Sequence, residues 1–263
     1  PRLSSAASDV YKRQFEISRY SNLFENGSLI KGESTTSYMY YDNFIKNIKD
    51  NFQEYPKFIF ILRNPIDRYV SHFNWMKGLG IEKRSIDEMI REDKLVDFQE
   101  YDDYPKQYYQ FGLYNKWISR FIVNFGIENI KIVTFEKLIS DRLSVVNDCF
   151  DFLGVERLNK IENIKSNKTN KIIFPSIYHF LRKSSTGKMK FTKITKYFIP
   201  MKIRIKIKNL IKKIIQNWIK INSQNQIISE NQRKILRDRY YNDVISLKNI
   251  LKYNFSEWED FKN

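Results

Sequence analysis

The chain is short of the side chains that build disulfide and metal frameworks. Its 263 residues include one cysteine, Cys149, and two histidines, His72 and His179. One cysteine excludes a disulfide framework, and the apolar company of Cys149 (Val145, Val146, Phe150, Leu153) reads as packing rather than chemistry. The histidines are far apart and have no cysteine beside them, so no metal-ligand set is expected. No apolar run approaches the roughly 20 residues of a membrane span, and no secretory signal is visible. On those absences alone a cytoplasmic location is expected. The marks of a kinase are missing as well: there is no Walker-type loop and no set of magnesium-binding carboxylates.

Alanine is nearly absent too, and its placement is informative. Ala6 and Ala7 are the only two in the chain, whereas Ile and Asn, abundant elsewhere, do not occur in Pro1–Gln14. That stretch reads as a foreign leader, and residues 15–263 as the domain.

What is present describes a globular protein: 42% hydrophobic residues, 16% of the chain aromatic, and length enough for one full core. The formal charge of +16 is concentrated. Residues 182–221 carry thirteen Lys or Arg and no Asp or Glu, so the remainder is close to neutral and a nucleic-acid partner is not expected. The segment alternates like a strand at 201–208, yet Leu210, Ile214, Trp218 and Ile221 follow helical spacing. It reads as an insertion packed by its Ile/Trp stripe, or as a cationic element meeting an anionic polysaccharide or membrane surface.

The chain is organised around Lys57–Phe73. Phe58–Leu62 is an unbroken apolar run, as in a parallel strand covered on both faces. Asn64 is a good N-cap, Pro65 suits the first helical position, and Gly78 suits the end of the helix. Arg63 then stands at the carboxyl end of a strand beside a helix N-terminus, where α/β folds bind ligands and where a phosphate or sulfate is well received. Ser71 returns to the same side of the helix two turns on.

Around this unit the pattern alternates. Leu29–Glu33 reads as a short strand, 40–52 as a helix, 85–91 as a short helix in a long charged loop, 109–125 as an amphipathic helix, 130–135 as a second buried strand and 143–153 as a helix. Trp117 belongs to the core stripe Leu113, Trp117, Phe121, Phe125. Tyr101, Tyr104 and Tyr108 read equally as sugar-stacking rings and as loop anchors. Ser229–Gln232 is a capping box ahead of the apolar face Leu236, Tyr240, Val244, Leu247, Leu251.

Leu62, Arg63, Asn64, Pro65, Arg68 and Ser71 together resemble the 3′-phosphate-binding element of the sulfotransferase family. Gly32, Glu33 and Tyr38 resemble its Gly-Glu-Lys-Ser-Pro-x-Tyr segment, with Ser34 and Thr36 in place of the usual Lys and Pro. The runs 133–138 and 152–155, and the ending Asn254–Trp258, are similar to the family as well. The resemblance implies an α/β fold with a P-loop-NTPase-like central parallel sheet flanked by helices. It implies sulfuryl transfer from 3′-phosphoadenylyl sulfate (PAPS) to a hydroxyl or amine of a neutral or anionic carbohydrate. Glu33 would be the general base, and Arg63 and Ser71 the holders of the donor 3′-phosphate. Lys168, in the Asn167–Lys171 stretch, would add charge to the donor site. Residue by residue, the alternatives are plain: Glu33 as a strand-end carboxylate paired with a lysine, Arg63 and Ser71 as structural residues, 167–171 as a polar linker. The family's glycine-rich phosphosulfate loop has no counterpart in residues 1–32. The first strand and phosphate loop are therefore expected to be missing, and the chain to bind donor weakly or not at all. The competing function is a non-catalytic basic module that uses 182–221 to hold an anionic polysaccharide or membrane surface.

Overall fold

The computed structural model describes residues 30–78, 81–93, 106–161 and 226–262. The leader, Tyr101, Tyr104, Lys168 and the basic segment 182–221 lie outside them. In chain order the elements are α1 (Asp42–Asn51), β1 (Phe58–Leu62), α2 (Pro65–Gly78), α3 (Ile86–Asp93), α4 (Tyr114–Phe125), β2 (Ile130–Thr134), α5 (Phe135–Ser140), α6 (Arg142–Leu153) and α7 (Glu230–Leu251). Short 3-10 turns precede α1, α4 and β2 and follow α7.

β1 and β2 pair in parallel, with Phe58 opposite Ile130 and Leu62 opposite Thr134. Parallel neighbours need a crossover, and α2, α3 and α4 lie within it. The shared face of Phe58, Phe60, Ile130 and Ile132 packs on α4 and α1 through Phe121, Phe125, Ile45 and Ile48. The opposite face is less covered than an all-apolar strand predicts. Ile61 is 58% exposed.

The larger core joins α2, α3, α4 and α7 through Tyr69, Phe73, Met89, Ile118, Leu236, Tyr240, Val244 and Leu247. The capping box starts α7 as its sequence requires: Ser229 Oγ accepts from Gln232 N, and Gln232 Oε1 accepts from Ser229 N. Gly112 allows the close approach of α7, since a Cβ there would stand 2.6 Å from the Tyr240 hydroxyl. Gly126, at φ +82°, closes α4 in a conformation that a side chain would strain.

Two expectations need correction. Ile30–Glu33 is not a strand; its backbone joins no ladder among the described residues, and Ile30, Lys31 and Gly32 are exposed. The second strand ends at Thr134 rather than at residue 135, because α5 begins at Phe135 without a break. Trp117 is core, as its stripe predicts, and its indole Nε1 donates to the Gln110 carbonyl at 2.7 Å. Among the described residues no helix is long and apolar enough to cross a membrane.

Candidate active site

The turn from β1 into α2 is fixed from four directions. The peptide unit between Arg63 and Asn64 has both polar groups engaged: Tyr114 Oη donates to the Arg63 carbonyl at 2.9 Å, and the Asn64 N–H donates to Glu136 Oε1 at 2.9 Å. Trp258 Nε1 donates to the other oxygen of Glu136 at 3.1 Å. The Asn64 side chain is engaged at both ends as well. Its Oδ1 accepts from Ile66 N at 3.0 Å, capping α2, and its Nδ2 donates to Asp260 Oδ2 at 2.7 Å. Arg233 holds Asp260 bidentately, at 2.7 and 2.6 Å, and reaches Asp67 at 3.0 Å with its remaining nitrogen.

The N-terminus of α2 is therefore not the open anion receptor that its sequence predicts. Its first available N–H is taken by Asn64, and three carboxylates, Glu136, Asp67 and Asp260, bond to the turn or to the arginine that braces it. The Arg63 side chain remains open to an anion. It is half-buried, lies over the Phe135 ring at 5.3 Å from its centroid, and makes no ion pair among the described residues. An aromatic face orients a guanidinium without consuming its donors.

The other expected site residues are placed as follows. Ser71 is exposed on α2, eight residues after Arg63, a helical rise of about 12 Å. Glu33 is half-buried, and its Oε1 is buried without a hydrogen-bond partner among the described residues. No hydrogen bond or ion pair joins Glu33 to Arg63 among the described residues. Lys168 falls outside them. Arg63 and Ser71 thus share one strand–helix unit, while Glu33 lies on a separate segment.

Beneath α2 lies a second polar layer. Arg68 donates to the Tyr108 carbonyl, its Nη1 stands 3.5 Å from His72 Nδ1, and its Nε is buried without a partner among the described residues. Tyr240 Oη donates to the Tyr109 carbonyl at 3.1 Å. Asp93, fully buried, accepts from Tyr109 N, and burial pushes its carboxyl up to about 6. Asp243, which accepts from Asn115 N and Lys116 N at the start of α4, is likewise pushed up to about 6 by burial. Glu82 is the opposite case. Burial works against its charge, yet hydrogen bonds from Arg84 and Tyr108 hold its carboxyl down to about 2.

Tyr114, Arg233 and Asp260 carried no signal for this site in the sequence, and Trp258 only the resemblance of the ending Asn254–Trp258. Each lies between 51 and 196 residues from its partner in the turn, and only the folded chain brings them together. Glu136 sits in a run already noted for its resemblance, but the Asn64 N–H it accepts is equally distant in sequence.

Comparison with known proteins bears on this geometry. A family model described as a sulfotransferase domain matches residues 34–218, well over half of the chain. The match includes Arg63, Asn64, Ser71 and Glu136 and begins one residue after Glu33. No curated relative matches the chain. Among solved structures, the crystal structure of a sulfotransferase from Alicyclobacillus acidocaldarius superposes with a TM-score of 0.60 at 19% identity, covering 94% of this chain and 75% of that one. On the family match and the parallel β1–β2 pair together, this chain belongs to the sulfotransferase domain family.

Proposed function

We propose that the chain transfers a sulfuryl group from PAPS to a hydroxyl or amine of a carbohydrate, and that the Arg63 corner receives the donor. One observation carries the reading. Asp67, Asp260 and Glu136 stand at the turn and each is bonded to another group, which leaves the Arg63 guanidinium as an oriented cation without a carboxylate. An anion with a ribose 3′-phosphate is a natural partner for that group. Ser71 adds a hydroxyl from the exposed side of α2.

Glu33 is assigned the proton transfer. A carboxylate oxygen that is buried and unbonded is costly to keep unless something fills it, and an acceptor O–H or N–H would do so. Glu33 then takes the proton as the nucleophile attacks sulfur, while cationic side chains offset the charge that grows on the departing phosphate. Lys168 is proposed as a further cation for the donor. The proposed acceptor class rests on the resemblance of the Gly32–Glu33 segment to carbohydrate-acting members of the family.

The direct test follows transfer of labelled sulfuryl groups from PAPS to a panel of oligosaccharides. Glu33→Gln is expected to lower kcat by at least about a hundredfold with donor binding intact. Undiminished turnover in that variant would remove Glu33 from the chemistry.

A further inference from the structure

Tyr114 and Glu136 lie on different helices yet meet at one peptide unit. Tyr114 Oη donates to its carbonyl, on Arg63, and Glu136 Oε1 accepts from its N–H, on Asn64, each at 2.9 Å. A peptide unit is planar, so holding its two polar ends fixes ψ of Arg63 and φ of Asn64 together. The peptide before Arg63 belongs to β1, whose pairing with β2 runs in register up to Leu62 and Thr134. The Arg63 Cα therefore stands between two fixed planes, and the direction in which its side chain leaves the backbone is set. Both holders are themselves held. Tyr114 is the first residue of α4, and Asp243 of α7 accepts from the next two N–H groups, those of Asn115 at 3.0 Å and Lys116 at 3.2 Å. Glu136 accepts from Trp258 Nε1 on its other oxygen at 3.1 Å, so its carboxylate cannot turn without giving up a bond. Both lines of support end in the C-terminal part of the chain.

Resting on the donor site proposed above, we propose that Tyr114 and Glu136 are positioning residues for recognition of a 3′-phosphorylated nucleotide, which present Arg63 to the phosphate by holding both ends of the peptide that follows it. A guanidinium grips a phosphate best through two parallel N–H groups, and that grip needs a defined approach. If ψ of Arg63 were free, the guanidinium would be spread over several places and would lose that freedom only when the phosphate binds, which weakens the complex. The two residues act through the main chain alone: their bonds are to the Arg63 carbonyl and the Asn64 N–H, not to the guanidinium.

The experiment separates this role from the donor site itself. The full chain is titrated with adenosine 3′,5′-bisphosphate and with adenosine 5′-phosphate, using ligand-observed NMR to reach weak affinities. The wild type is expected to prefer the 3′-phosphorylated nucleotide. Tyr114→Phe keeps the ring, which is tilted against Trp258 at 6.0 Å between centroids, and deletes only the hydroxyl. In that variant the preference falls about threefold to tenfold, the size of one hydrogen bond. Tyr109→Phe is the structural control. It deletes a bond of the same kind, from Tyr109 Oη to the Arg239 carbonyl at 3.0 Å, and should lower the melting temperature comparably while the preference holds. Glu136→Gln keeps the shape but leaves one acceptor for two donors, and it removes a negative charge from the turn. Relief of charge alone would raise affinity for a phosphate, whereas positioning predicts a fall. If Tyr114→Phe fails to fold by circular dichroism, Glu136→Gln carries the test. A preference that survives Tyr114→Phe, an equal drop in Tyr109→Phe, or an unchanged or raised preference in Glu136→Gln overturns the positioning role and leaves the donor site standing. A wild type blind to the 3′-phosphate overturns the donor site.

Discussion

The two ends of the β1–β2 pair are built from different materials. At the amino end Phe58 is edge-on to Phe121 at 5.2 Å between centroids and tilted against Phe125 at 4.8 Å, with Phe44 and Phe60 packed around the same rings. At the carboxyl end Asn64, Glu136, Asp260, Arg233 and Tyr114 meet in directed hydrogen bonds. Aromatic burial is large and tolerant of small shifts in direction. Hydrogen bonds add little net stability but fix orientation, and they penalise any member left unpaired. The contrast teaches a division of labour: the amino end holds the sheet together, and the carboxyl end fixes the backbone of the turn that carries Arg63.

Breaking the amino end should cost stability and nothing else. Phe121→Ala removes a ring that is 1% exposed and contacts both strands, and should destabilise the fold by roughly 3–5 kcal/mol. Urea unfolding measures this, while nucleotide affinity of the folded fraction stays constant. A large drop in affinity at unchanged stability would erase the division.

The polar layer under α2 sharpens the comparison through pH. The folded-state pKa of Asp93 is raised to about 6 from 3.8, so its favourable contribution is full below about 3.8 and is lost as pH rises through about 6. Glu82, lowered to about 2 from 4.5, contributes above about 4.5 and loses that contribution as pH falls towards 2. Asp93→Asn should therefore stabilise the protein by about 1–2 kcal/mol near pH 7.5 and change little near pH 4. Denaturant unfolding at the two pH values reads the difference; a variant less stable at the higher pH contradicts the sign. Smallest of all is Ser71→Ala. The residue is exposed, so the melting temperature should hold while affinity for a 3′-phosphorylated nucleotide falls a few-fold, on the order of one neutral hydrogen bond.

Much of the fold was readable before any coordinates. An uninterrupted apolar run followed by Asn-Pro fixed β1, the cap and α2, because strand burial, side-chain capping and the proline φ all act within a few residues. The capping box and the stripe of α7 were legible for the same reason. The expected Leu29–Glu33 strand is not formed over its described residues 30–33, since a run of that length becomes a strand only when a partner supplies its hydrogen bonds. The candidate site was half legible. Arg63 and Ser71 share one local unit, but the groups that orient Arg63 come from α4, α5, α7 and the C-terminal turn. Periodicity carries no information about a bond between Asn64 and Asp260, 196 residues away. The open helix N-terminus failed for a related cause: long-range carboxylates occupy or surround the groups that the local pattern leaves free.

The central proposal is that Arg63, which makes no ion pair among the described residues, binds the 3′-phosphate of the donor. Titration of the full chain with adenosine 3′,5′-bisphosphate and adenosine 5′-phosphate, in wild type and in Arg63→Ala, tests it most directly. The account predicts a preference for the 3′-phosphorylated nucleotide that disappears in Arg63→Ala, with a loss of about thirtyfold or more in its affinity and an unchanged unfolding midpoint. Equal affinity for the two nucleotides in the wild type, or a preference that survives Arg63→Ala, contradicts it.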